Sequence, residues 1–291
     1  MCKRRWMAVI AALTAAAMTL MACGSTGSTA SSGAAAASSK GAASESEEKT
    51  DSSAADTGAE ASDAEKADGK VYMIATDTTF APFEFENEEG QMVGIDLDLL
   101  QKISELEGFD YELQLVGFSA AMTALEAGEV DGLIAGMSIT DERKAKYDFS
   151  DSYFDSGIGM AVLADADIDS YDDLKGKQVA AKIGSEGCKF AESIKDKYGF
   201  TIAQFEDSAT MYQDVLSGTS AAVFDDYPVL GYEIKRGIGF KMPLPMERSS
   251  SYGFAVLKGS NAELLQMFND GLKQLKEDGT YDEIIKTYIS D

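Results

Sequence analysis

From Val71 to the end of the chain, short apolar runs alternate with stretches whose apolar residues recur at helical spacing, and this alternation restricts the fold most. Val71–Thr76 reads as a buried strand. In Ile95–Leu106, the residues Ile95, Leu99, Leu100, Ile103 and Leu106 mark one face of a helix. Tyr111–Val116 then reads as strand, Ser119–Leu125 as helix and Gly132–Gly136 as a short buried strand. A second series has strands at Gln178–Ala181, Thr201–Phe205 and Ala221–Phe224, with helices at Cys188–Lys197 and Ala209–Leu216 between them. Such alternation predicts α/β units with largely parallel sheets. About 220 residues are enough for two lobes of roughly 100 each. Ile158–Leu163 lies between the two series and Tyr252–Leu257 follows the second; both are extended and apolar, which suits crossovers between lobes. Helical segments Glu263–Lys276 and Tyr281–Ile289 then return to the first lobe. The expected division puts residues 70–158 and 252–291 in lobe 1 and residues 159–251 in lobe 2.

The residues before Val71 differ in kind. Gly24–Gly69 has no aromatic or branched aliphatic side chain. It cannot bury enough apolar surface to offset its ordering entropy, so it is expected to be a disordered tether spanning roughly 35–40 Å. Ahead of it, Lys3, Arg4 and Arg5 precede the apolar stretch Trp6–Met21. That stretch is short for a membrane span, which needs roughly 20 apolar residues, and reads as a signal peptide over residues 1–22. Leu20-Met21-Ala22-Cys23 followed by Gly24 resembles a bacterial lipobox, although Met21 is a less usual choice there. The resemblance implies cleavage before Cys23 and lipidation (palmitate) of that cysteine, which would hold the protein on the extracytoplasmic face of the cell membrane.

Cys2 then leaves with the signal and Cys23 carries lipid, so Cys188 has no partner within the chain and reads as a small buried residue on a helix. A formal charge of −25, about −28 without Lys3, Arg4 and Arg5, repels phosphate backbones and argues against nucleic-acid binding. The chain has no histidine, which excludes a His-based triad, a His-ligated metal and a histidine proton shuttle. No metal and no cofactor are expected.

Four clusters carry the chemistry. Ala75–Phe85 follows the first strand and sets Asp77 three residues from Phe80, where ligands bind in open α/β sheets. In Ala135–Lys144, the missing side chain of Gly136 lets a ligand approach the backbone. Thr140 has the look of an N-cap, and Arg143 stands in the first helical turn as a fork-shaped receptor for one carboxylate. Surface pairing of Arg143 with Asp141 or Glu142 is an equal alternative. Val179–Gly187 is strand, glycine turn and helix start, an anion-friendly arrangement without phosphate-loop spacing. In Ala222–Pro228, Asp225 and Asp226 need a cation or strong donors, such as an α-ammonium, unless they merely cap the next helix.

In order and spacing these clusters resemble the polar amino-acid binding proteins of ABC importers, solute-binding protein family 3, and among them the glutamine binders most closely. The resemblance covers Lys70–Asp291 and rests on Thr76–Phe83, on Thr140–Lys144 and on the closing Asp278-Gly279-Thr280-Tyr281 segment. It implies a two-lobed periplasmic-binding-protein (type II) fold with two hinge crossover strands and a ligand enclosed between the lobes. By position, Arg143 would clamp the ligand α-carboxylate with Ser138 and the backbone N–H of Glu186. Asp226 and the Gly136 carbonyl would take the α-ammonium. Phe80 and Phe118 would sandwich the side chain, while Asp77 and Lys182 would meet its polar end. Asp225 stands where glutamine binders carry a histidine, and Glu186 where a small residue is usual. The added carboxylates favour a cationic ligand such as lysine or arginine; Lys182 opposes one and donates well to an amide, which tips the reading to glutamine. The expected partners are the ligand and the permease subunits, with the protein itself a monomer. A rival is a dehydratase-type enzyme on the same fold with Glu186 or Asp225 as acid. A free sensory subunit is a second rival.

Overall fold

The computed structural model describes residues 69–289. The expected signal peptide, the expected lipidation site at Cys23 and most of the expected tether lie outside the described residues.

The chain opens with β1 (Val71–Thr76), β2 (Thr79–Phe80), β3 (Glu84–Glu86), β4 (Met92–Val93), α1 (Ile95–Glu107), β5 (Asp110–Leu115) and α2 (Phe118–Ala127). Then come β6 (Gly132–Leu133), α3 (Asp141–Lys144), β7 (Tyr147–Phe149) and the long β8 (Phe154–Leu163). The middle holds β9 (Gln178–Lys182), α4 (Glu186–Tyr198), β10 (Thr201–Phe205), α5 (Ser208–Leu216), β11 (Ala222–Asp226) and α6 (Tyr227–Lys235). It closes with β12 (Phe240–Lys241), β13 (Glu247–Tyr252), β14 (Ala255–Leu257), α7 (Ala262–Asp278) and α8 (Thr280–Tyr288).

These elements form two α/β lobes. The first is built on a sheet of order β5-β1-β6-β14-β7, the second on β10-β9-β11-β8-β12 with β13 also paired to β8. A small β2-β3-β4 sheet accompanies the first lobe. Within each lobe the strands of the alternating series run parallel, β1 with β5 and β6, β9 with β10 and β11. The expectation of largely parallel sheets holds only for these. Strands that arrive from the other lobe enter head-on, so β8 is antiparallel to β11 and β14 antiparallel to both β6 and β7.

The chain passes between the lobes along the start of β8 and along β13, which are antiparallel neighbours (Phe154 opposite Tyr252, Ser156 opposite Ser250). The apolar run expected at Tyr252–Leu257 is therefore two strands, broken at Gly253 and Phe254. Likewise the strand expected at Gly132–Gly136 ends at Leu133, because Gly136 turns into the left-handed region (φ 52°).

Ile95, Leu99, Leu100 and Ile103 of α1 are fully buried, and Phe268, Leu272 and Leu275 of α7 join them in one core. Leu106 is 41 % exposed although it shares their face; the helical period reports a face, not how far along it the packing partner reaches. In the second lobe Phe224 of β11 stacks on Phe200 and Tyr171. A Cβ on Gly187 would stand 2.7 Å from the Phe224 carbonyl oxygen, so only glycine lets the start of α4 approach the end of β11 this closely. Cys188 is a free, buried cysteine on α4. Among the described residues no helix is long and apolar enough to cross a membrane.

Candidate functional site

Two parallel strands from each lobe point their carboxyl ends at one interlobe cavity. The residue after β1 is Asp77, Gly136 follows β6, and Lys182 and Asp226 end β9 and β11. Nine of the ten predicted site residues line the cavity; the tenth, Asp77, reaches it through an ion pair with Lys182.

The arginine end is built by a cap. Thr140 Oγ1 accepts the backbone N–H of Arg143 (3.2 Å), starting a single turn of helix that turns Arg143 inward. Arg143 is only 4 % exposed. Its guanidinium donates to the Ser138 carbonyl (2.9 Å) and, across the cleft, to the Gly184 carbonyl (3.1 Å). Its ion pair is with Glu186 (Nε to Oε1, 3.6 Å), while Asp141 pairs with Lys144 and Glu142 with Lys189. The surface-pairing alternative for Arg143 is therefore not the one adopted. Burial pulls the guanidinium's pKa down, against the attraction of Glu186 and Asp226. On the facing lobe, Ser185 Oγ accepts the N–H of Cys188 (3.0 Å) and caps α4, which presents Glu186 at the cavity wall.

The carboxylate end lies at β11. Asp226 makes no side-chain cap to α6; its Oδ2 instead accepts the Tyr252 hydroxyl at 2.6 Å. Capping is thus not what these aspartates do. Burial, then the neighbouring Asp225, raises the Asp226 carboxyl to about 7, with the Tyr252 hydrogen bond and Arg143 acting the other way. Asp225 accepts the Tyr212 hydroxyl (2.6 Å) and the Asp226 N–H (2.9 Å). Burial raises its pKa too, opposed by Lys182.

At the third corner, Lys182 Nζ donates to Asp77 Oδ2 at 2.7 Å, with both side chains buried. The ammonium lies 4.3 Å from the centre of the Phe80 ring and 5.9 Å from that of Phe118. Burial alone would lower its pKa, but Asp77, Asp225 and Glu84 together raise it, so it stays charged. The aromatic pair expected to sandwich a ligand therefore also cradles this cation.

Sequence reasoning missed a supporting layer. Asp96, in the first turn of α1, accepts the Gly136 N–H and the Tyr153 hydroxyl, each at 2.8 Å. Burial raises the Asp96 carboxyl to about 6 and the adjacent Glu84 well above the usual range. The neighbouring Asp96 carboxyl further disfavours ionisation of Glu84. Asp96 stands seven residues before Ile103, on the apolar face, and a carboxylate there was a readable sign of a buried acid.

Two α/β lobes joined by paired crossover strands, closing over a cavity with a cation at one side and carboxylates at the other, define a protein that captures a small polar solute. The chain belongs to the bacterial extracellular solute-binding proteins, family 3, whose model matches residues 72–291. It is 31 % identical over 282 residues to the ABC transporter glutamine-binding protein GlnH of Bacillus subtilis, covering 95 % of this chain and 94 % of that one. Substrate binding domain 2 of Lactococcus lactis GlnP, in an open conformation, is 42 % identical over 77 % of this chain and 97 % of that chain, with a TM-score of 0.56. An ancestral arginine-binding protein bound to glutamine is 36 % identical, covers 76 % of this chain and 98 % of its own, and reaches a TM-score of 0.70. The lower score against the more identical but open structure accords with the bonds that draw the lobes together here.

Proposed function

We propose that this protein binds L-glutamine between its lobes and hands it to an ABC importer. The coarser part, an amino-acid-binding protein of ABC transport, follows from the family and its relatives. The glutamine assignment rests above all on the Lys182–Asp77 pair. A side-chain carboxamide has one acceptor and two donors, and a buried ammonium beside a carboxylate offers the matching donor and acceptor with no net charge. In this reading Arg143 clamps the α-carboxylate with Ser138 and the Glu186 backbone, and Asp226 with Gly136 takes the α-ammonium. Phe80 and Phe118 flank the side chain; Asp77, Lys182 and Asp225 meet its end. The cation receptor and the anion receptor belong to different lobes, divided as residues 70–158 with 252–291 and residues 159–251, so a zwitterion draws the two together.

A screen of the twenty amino acids by thermal shift, followed by calorimetry, tests the reading. Glutamine at 100 times Kd stabilises by about 2.7 kcal/mol, and a Kd near micromolar corresponds to about −8 kcal/mol. Binding of arginine or lysine in preference would favour the basic-amino-acid alternative, which Asp225 and Glu186 support. No binding of any amino acid at millimolar concentration would remove the proposal.

The protein acts as a monomer held at the membrane by lipid on Cys23. Cys23→Ser is expected to be released to the medium or to stay uncleaved. A variant that remains membrane-bound, mature-sized and lipid-labelled refutes the anchor.

A further inference from the structure

Tyr252 is fully buried at the end of β13, yet it belongs to neither receptor in the reading above. Its hydroxyl donates to Asp226 Oδ2 at 2.6 Å and accepts from Ser156 Oγ, on β8, at 3.0 Å. Its backbone bridges to cavity-lining Ser138, and its carbonyl accepts the Tyr153 N–H at 3.0 Å. The ring is held edge-on by Phe83, 4.9 Å between centres, and stacked by Phe154. One residue therefore joins the first lobe by its backbone, both crossover strands by position and hydroxyl, and the second lobe through Asp226. The hydroxyl has a single proton, and the Ser156 donor leaves that proton to the carboxylate.

We propose that Tyr252 is a positioning residue for ligand capture: its hydroxyl, held by Ser156, aims the Asp226 carboxylate at the ligand's α-ammonium and ties that carboxylate to the hinge. The inference rests on Asp226 receiving the ammonium, but not on the ligand being glutamine, since every α-amino acid has that group.

The charged groups around Asp226 are Asp225 beside it, Arg143 and Lys182 facing it, and Glu186 held on Arg143. Asp225 and burial favour the protonated form; Arg143, Lys182 and the Tyr252 hydroxyl favour the ionised one. An ammonium pairs with the ionised form only. Affinity in the parent protein should therefore fall as pH drops through about 7, because a proton occupies the receptor. Taking away the hydroxyl removes a donor that stabilises the ionised form, so this fall moves to higher pH.

The test is calorimetric titration of the full chain and its Tyr252→Phe variant with glutamine and with arginine, from pH 6 to 9. Phenylalanine keeps the ring packing and removes only the oxygen. The expected result is a loss of about tenfold or more at pH 7, the scale of a hydrogen bond to a charged group. That loss should shrink toward pH 9, with the inflection displaced upward, and Ser156→Ala should shift it the same way by less. Unchanged affinity, or a loss equal at every pH with the inflection in place, overturns the proposal; the second outcome is what a purely structural tyrosine would give. Should Tyr252→Phe not fold, Ser156→Ala decides on the same criterion. If the parent binds neither amino acid, the ligand assignment has failed and not the role of Tyr252.

Discussion

Arg143→Ala is expected to weaken amino-acid binding at least a hundredfold, and by a similar factor for every amino acid the protein accepts. Arg143 is buried and is the cation the cavity presents at its Ser138 end. Removing one partner from a buried ion pair costs about 3–5 kcal/mol, because the other charge is left in a poorly solvated place. At about 1.4 kcal/mol per tenfold, that is a hundredfold or more in Kd. A second loss adds to it. The guanidinium also bridges the cleft to the Gly184 carbonyl and faces Glu186, so its absence leaves the second lobe without a contact that favours closure. Arg143→Lys should fall between parent and alanine, since a point charge restores attraction but not the planar fork. Titration of the three proteins with glutamine and arginine gives the comparison. Parent-like binding by Arg143→Ala would mean that the carboxylate receptor lies elsewhere.

Lys182→Ala is expected to act in opposite directions on two ligands. The Lys182 ammonium pairs with Asp77 at 2.7 Å, and its charge also offsets Asp225. Truncation leaves Asp77 buried without its cation, again a cost of about 3–5 kcal/mol where nothing replaces it. Glutamine cannot replace it, so its Kd should rise a hundredfold or more. Arginine and lysine carry the missing cation themselves, so they should lose far less, or gain. The variant would then prefer a basic amino acid, and the ratio of the two dissociation constants is the measured quantity. An equal loss for both ligands would place Lys182 outside the side-chain subsite and leave it as a strut between the lobes. Asp225→Asn should move the ratio the other way, because it removes a carboxylate from the same corner.

Much of this architecture was legible before any coordinates. The apolar period located strands and helices, with β1 and β10 matching their predicted ranges, because burial of one face constrains every residue on it. Capping was legible for the same local reason: Thr140 three residues before Arg143 is a short-range geometry that the backbone enforces. Strand ends followed by glycine or acidic residues marked four clusters, and eight of the nine expected site residues within them line one cavity; Phe118, which came only from the family resemblance, lines it too.

Partnership was not legible. Asp77 and Lys182 are separated by 105 positions, Arg143 and Gly184 by 41, and Asp226 and Tyr252 by 26. The first two pairs meet because the two lobes close on each other, and the third because β13 and β11 both pair with β8; nothing local to either residue encodes the distance. The antiparallel entry of β8 and β14 escaped the sequence for a related reason, since strand direction is set by which lobe the chain arrives from. Charge states belong to the same class: Glu84, Asp96 and Asp226 look like ordinary carboxylates in the sequence, and burial in the folded protein raises them. By itself, the sequence determined which residues are apolar, capped and gathered at strand ends, because those are short-range consequences of the backbone. Tertiary structure alone decided which charges face one another and which carboxyl pKa values are raised, because both depend on burial among residues far apart in the chain.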